Sequence, residues 1–170
     1  MKTKLLLTAV MLLGLFLTGC NNQKPTETEK VDLIAEEFPK AQQEVLETFQ
    51  AIAQSIIDHD IDKLISFHAY GPKFTEFKDG QPRNGGADNE AYERQLFGSV
   101  TEVVAFKAND LKIAVYGDVA NVTFHSDFQL MFGDQLAVVN NQITLLFVKT
   151  DDGWKLVHEH HSPLNSEEKS

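Results

Sequence analysis

From Val119 to Lys149 the chain reads VANVTFHSDFQLMF, then Gly133-Asp134, then QLAVVNNQITLLFVK. Two alternating apolar and polar runs flank a Gly-Asp pair, the composition of a tight hairpin turn. If that pair is a two-residue turn, Phe132 faces Gln135 and the pairing runs back to Ala120 opposite Phe147. One face then carries Ala120, Val122, Phe124, Ser126, Phe128, Leu130 and Phe132, with Ala137, Val139, Asn141, Ile143, Leu145 and Phe147 across from them. Both strands agree about which face is apolar. That fixes the register, because a slip of one residue would turn every side chain over.

Two polar residues interrupt the apolar face, Ser126 and Asn141, directly opposite each other. A polar pair on a core face needs hydrogen-bond partners, a water or a ligand. His125 and Asp127 fall on the other, mixed face with Asn140 and Gln142, facing solvent or a dimer interface.

Outward from this hairpin the pattern continues. TEVVAFKANDLKIAVYG (101–117) runs into Gly117-Asp118, and WKLVHEHHS (154–162) follows the turn TDDG, so strands fill the chain from Val100 onward. Before them the spacing is helical. Val45, Leu46, Phe49, Ile52, Ala53, Ile56 and Ile57 form one stripe, with Pro39 suited to the first turn. Asp60 is placed to cap a second helix from Ile61 to about His68. A short strand is expected over Lys73–Phe77, and a third helix, capped by Asp88, carries Tyr92, Leu96 and Phe97. Helices first and an antiparallel meander afterwards make an α+β domain.

The last strand, GWKLVHEHHSP (Gly153–Pro163), holds three of the six histidines and the only tryptophan. With Asp152-Gly153 as a two-residue turn, Trp154, Leu156, His158, His160 and Ser162 point inward, while Lys155, Val157, Glu159 and His161 point out; a three-residue turn would turn every one of them over. The expected pocket lining is therefore His158, His160, Ser162, Ser126 and Asn141, joined by His68 and Tyr70 where the second helix ends. His160 is the candidate general acid or base. His158 and His160 share a face about 6.6 Å apart by strand rise, but a third metal ligand must come from elsewhere. No H-E-x-x-H spacing exists, so neither a metal nor a cofactor is expected. The chain has no nucleophile elbow, Gly-rich phosphate loop or CxxC pair.

DHDIDKLISFH (Asp58–His68) and GWKLVHEHHS (Gly153–Ser162), with the meander between them, resemble the SnoaL-like domains of the nuclear transport factor 2-like superfamily over about residues 31–163. The resemblance implies a cone in which a strongly curved antiparallel sheet wraps N-terminal helices around a cavity, and dimerisation through the sheet. Such domains include isomerases, cyclases, dehydratases, epoxide hydrolases and non-catalytic members, so the fold does not choose the function. A steroid-type isomerase would need a pocket aspartate, and Asp127, the one strand-borne candidate, faces outward.

The N-terminus has the layout of an export signal, residues 1–19: Lys2 and Lys4, then an apolar run from Leu5 to Leu17 too short to span a bilayer. Leu17-Thr18-Gly19-Cys20 resembles a bacterial lipobox, which implies acylation of Cys20 and cleavage before it. Lipid on the sulfur would also explain a lone cysteine in an exported chain. Residues 20–30 read as a flexible tether and 164–170 as a disordered tail. With 15 basic and 25 acidic residues the net charge is −10; losing Lys2 and Lys4 makes it −12 (13 − 25). That balance gives no reason to bind nucleic acid.

The sequence thus predicts a lipid-anchored protein of the bacterial cell envelope that binds a small apolar or aromatic molecule without catalysis and forms a homodimer. The alternatives are a lyase, isomerase or hydrolase using a pocket histidine, and a homo-oligomeric assembly module contacting through the outer sheet face around His125 and Met131.

Overall fold

Pro39 opens helix α1 (Pro39–Ile57), where its missing N–H would have had no partner. The computed structural model describes residues 30–165. The apolar leader, Cys20, the tether as far as residue 29 and residues 166–170 of the tail lie outside the described residues. Along α1 the buried residues Val45, Phe49, Ile52 and Ile56 repeat at three and four, forming the stripe that packs on the sheet. Asp60 caps α2 (Ile61–Ser66), its Oδ1 accepting the Lys63 N–H at 2.9 Å. This helix stops short of His68 because the next residues join the sheet. Leu156 N–H donates to Phe67 O and Ala69 N–H to Leu156 O.

After β1 (Thr75–Lys78) comes α3 (Gly86–Gly98), capped by Gly85. Asp88 sits inside its first turn and accepts the Gly85 N–H at 3.4 Å. The remaining strands are β2 (Glu102–Tyr116), β3 (Val119–Phe132), β4 (Gln135–Val139), β5 (Asn141–Thr150) and β6 (Gly153–Pro163). Gly117 and Gly133 lead their two-residue turns at φ 67° and 61°, backbone values that favour glycine. The sheet order is β1-β6-β5-β3-β2, with β4 on β3. Phe132 pairs with Gln135 and Ala120 with Phe147.

The inner face of β3 and β5 is buried as the alternation requires. Ala120, Val122, Phe124, Ile143, Leu145 and Phe147 meet the α1 stripe, with the Phe49 and Phe124 rings edge-on at 5.1 Å. Burying side chains of this size contributes roughly 1.5–3 kcal/mol each. Glu44 on α1 accepts from Trp154 Nε1 at 3.1 Å and from Lys149 Nζ, fastening the helix to the β5–β6 hairpin.

Two expectations need correction. The sheet is curved and mixed rather than wholly antiparallel, because β1 runs parallel to β6, with Thr75 beside His158 and Phe77 beside His160. The turn before β6 is Asp151-Asp152, pairing Thr150 with Gly153. That displacement alone keeps the parity, and Trp154 and Leu156 do face inward, both nearly inaccessible. The parity then breaks. Phe147 pairs with Leu156 but Leu146 pairs with His158, leaving Val157 as an extra residue. This β-bulge turns over every side chain beyond it. Glu159 and His161 face the interior, and His158 and His160 the outside.

Candidate functional site

The interior between α3, β1 and the curved sheet holds a chamber of about 220 Å³ beside a smaller void of about 80 Å³. Phe97, Phe128 and Ile143 border both, and so do Glu93, Glu159 and His161. Further out the chamber is walled by Tyr92, Leu96, Leu130, Phe132, Ala137 and Val139. It is an apolar pocket with a polar floor, the usual construction of a small-molecule site.

The floor is assembled from four elements. Glu159 comes from β6, placed inward by the bulge, and Glu76 lies next to it on β1. Glu93 comes from α3 and His68 from the segment after α2. Glu159 divides its carboxylate between two imidazoles, with Oε1 2.8 Å from His68 Nε2 and Oε2 3.1 Å from His161 Nε2. The other His68 nitrogen, Nδ1, is 3.1 Å from Leu64 O, and the Tyr70 ring stacks on the imidazole at 4.9 Å and 10°. Tyr70 itself donates to Asn89 Oδ1 at 2.6 Å, and Asn84 Nδ2 donates to Glu76 Oε2 at 2.9 Å. Glu93 Oε2 lies 3.5 Å from His68 Nε2 without making a hydrogen bond. Among the described residues, only it and Asn89 Nδ2 are buried side-chain atoms with no partner.

The electrostatics follow from that crowding. Burial, with Glu159 and Glu76 nearby, pushes the Glu93 carboxyl up to about 8, against the pull of His68. Burial would raise Glu159 as well, but the hydrogen bonds from His161 and His68 outweigh it and hold that carboxylate well below its usual range. Burial alone would lower His68; Glu159 and Glu93 outweigh it and the net shift is upward. Burial and the surrounding carboxylates push the Tyr70 phenol up. At neutral pH the floor therefore holds a protonated carboxyl beside an ionised one.

The residues expected to line the pocket separate into four groups. His68 and Asn141 reach the interior, His68 in the floor and Asn141 in the chamber wall. Tyr70 stands behind His68 and faces a different cleft, beside Gly71 and Gly86. Ser126 closes a structural link: its hydroxyl donates to Val139 O and accepts the Asn141 N–H, both at 2.8 Å, across the break between β4 and β5. His158, His160 and Ser162 do not reach the chamber. His158 Nδ1 lies 2.8 Å from the Thr75 hydroxyl and 2.9 Å from Thr75 O on the outer side, and His160 is exposed. The candidate acid/base His160 is thus on the wrong face, displaced by the extra residue at Val157, and His161 holds the inward position instead. Arg94 is exposed and bridges Glu90 and Asp62.

Glu76, Glu93, Glu159 and His161 were missed from sequence. Glu93 carried a signal, since it follows Tyr92 and stands three and four residues before Leu96 and Phe97 on α3, close to that helix's apolar positions.

A family model described as a SnoaL-like domain matches residues 45–166. The chain belongs to the SnoaL-like family. No curated protein matches it significantly. Solved structures similar to this SnoaL-like domain include a proposed dehydratase of the NTF2-like family from Streptomyces avermitilis. It is 22% identical with a TM-score of 0.67, covering 75% of this chain and 98% of that one. A proposed aromatic ring hydroxylase from Novosphingobium aromaticivorans is 16% identical, with a TM-score of 0.65 over 77% and 94%. The CamKII hub homology domain of Chlamydomonas reinhardtii is 22% identical, with a TM-score of 0.58 over 74% and 98%. At these identities the likeness concerns the fold, and this SnoaL-like fold supports small-molecule sites and assemblies alike.

Proposed function

We propose that this is a lipid-anchored protein of the bacterial envelope whose SnoaL-like domain binds a small apolar or aromatic molecule carrying one hydrogen-bonding group. The observation that carries the reading is the apolar chamber closed at one end by Glu93, Glu159 and His161. The walls favour a ring or short aliphatic body by desolvation, and the floor orients its polar end. Calorimetric titration of the detergent-solubilised full chain with p-cresol and with indole tests it. Saturable binding that disappears in Ala137→Trp supports the reading; no binding, or binding indifferent to that substitution, overturns it.

Anchoring rests on the lipobox-like Leu17-Thr18-Gly19-Cys20. Radiolabelled palmitate should enter the wild-type chain in cells and be absent from Cys20→Ala. Dimerisation belongs to the same proposal. Leu136 and Val138 are each 53% exposed on the outer sheet face, where Met131 pairs with Leu136. A solution mass of one protomer would remove that part.

A second reading, turnover, is favoured by one contact. Glu159 Oε2 orients the His161 imidazole at the chamber floor, the arrangement in which a carboxylate holds a proton-transferring histidine. Deuterium exchange next to the carbonyl of cyclohexanone, accelerated by the protein and lost in His161→Gln, would support it. No acceleration over buffer would count against it.

A further inference from the structure

We infer that the chamber floor is a binding site for one divalent first-row transition-metal ion, held by His68 Nε2 and the carboxylates of Glu93 and Glu159. One donor atom from each of these residues lies within 4.8 Å of the other two. The 3.5 Å between His68 Nε2 and Glu93 Oε2 already matches the spacing of two ligands on a tetrahedral ion, about 3.4 Å for bonds of about 2.0–2.1 Å. The 2.8 Å between His68 Nε2 and Glu159 Oε1 has to open by about 0.6 Å to reach the same spacing.

The surroundings are those of a ligand set. Metal-binding histidines commit their second nitrogen to a backbone carbonyl or carboxylate, which fixes ring and tautomer. His68 Nδ1 does this at Leu64 O, and the stacked Tyr70 ring fixes the imidazole plane. Glu159 is oriented through its other oxygen by His161. Glu93 is the member left without a partner: the residue is only 8% exposed, yet its Oε2 makes no hydrogen bond. Buried polar atoms are rarely left so, and a cation at this point completes the accounting. When the ion binds, the proton on His68 Nε2 and any on the carboxyls leave to solvent.

One imidazole and two carboxylates suit Zn²⁺, Mn²⁺ or Fe²⁺ better than a thiolate-seeking ion or Ca²⁺. Three protein ligands leave a coordination position free, and the smaller void, which His68, Glu93 and Glu159 border together, supplies the space for a water or ligand there.

The test uses the full chain in detergent, stripped with chelator and titrated calorimetrically with Zn²⁺. The expected result is one ion per chain with a Kd on the order of 1 μM or tighter, weakened roughly 100-fold or more in Glu93→Gln. Co²⁺ should give the intense visible bands of a four- or five-coordinate site in the wild type and lose them in the variant. Absence of saturable binding, binding unchanged in Glu93→Gln (as exposed His59 or His160 would give), or only the weak octahedral Co²⁺ spectrum overturns the site. If Glu93→Gln does not fold, the wild-type Co²⁺ spectrum alone decides. Ala137→Trp fills the chamber from the far wall and should leave Zn²⁺ binding intact, so failure of this site and failure of organic-ligand binding are distinguishable.

Discussion

His68 Nε2 stands 2.8 Å from Glu159 Oε1, and the two residues are 91 positions apart in the chain. The contact joins the end of α2 to the last strand inside the core. Both side chains are almost inaccessible. Removing one partner of such a pair leaves the other buried and uncompensated. Glu159→Gln should therefore destabilise the domain by about 3–5 kcal/mol at neutral pH, measured by denaturant unfolding. Stability unchanged within 0.5 kcal/mol (roughly the scatter of a neutral surface change) would show that the pair is not formed.

Glu93 predicts the opposite sign. Its folded-state pKa, about 8, is raised above the ordinary 4.5. The folded form thus holds a proton that the unfolded chain releases, and stability falls as pH rises between those values. In metal-free protein Glu93→Gln removes this penalty. The variant should match the wild type near pH 4.5 and exceed it by roughly a few kcal/mol at pH 8, at ~1.4 kcal/mol per pKa unit. Thermal melts across that range check it, and parallel curves would refute the shifted carboxyl. His68 contributes in the same direction: its raised pKa gives stability fully present below pH 6.5 and lost as pH climbs through the folded value. Glu159 acts at the acid end, where stabilisation present above 4.5 is lost as pH falls toward its depressed value.

Ser126 separates a structural role from a ligand role. Its hydroxyl carries two hydrogen bonds across the break at Asn140. Ser126→Ala leaves Val139 O and the Asn141 N–H without that partner and should cost about 1–3 kcal/mol. p-Cresol affinity in the folded variant should stay within about twofold, since the side chain does not border the chamber. A large loss of affinity with unchanged stability would return Ser126 to the pocket.

His160→Gln and His161→Gln form a matched pair. The first alters an exposed side chain and should leave stability within about 0.5 kcal/mol and ligand binding unchanged. The second removes the group that orients Glu159 and should alter both. The reverse order, with His160→Gln the damaging change and His161→Gln the silent one, would mean that β6 carries no bulge in solution.

Much of the fold was legible because strand parity is arithmetic. Phe132 opposite Gln135 and Ala120 opposite Phe147 follow from one two-residue turn, and the apolar face confirms them independently. The α1 stripe and the Asp60 cap are local signals of the same kind. The candidate site was less legible for two physical reasons. A bulge adds a residue without any required residue type, so Val157 looked like an ordinary strand position and His160 was sent inward. The floor also joins His68, Glu76, Glu93 and Glu159 from four elements, and no periodicity records contacts across such separations. His68 was picked out because it ends a helix; Glu159 was expected on the outer face, and neither Glu76 nor Glu93 was singled out.

The single unpaired residue at Val157 also bears on how this domain can diverge. If β6 kept Val157 but paired with β5 without a bulge, Leu145 would face His158 and Ile143 would face His160, exchanging the pair Glu159 and His161 for His158 and His160 on the inner wall. A carboxylate-bearing interior would become one of imidazoles. In this architecture a one-residue change of register rewrites pocket chemistry more completely than any one substitution. Position-by-position comparison of relatives is meaningful past this point only once each strand's bulge has been counted.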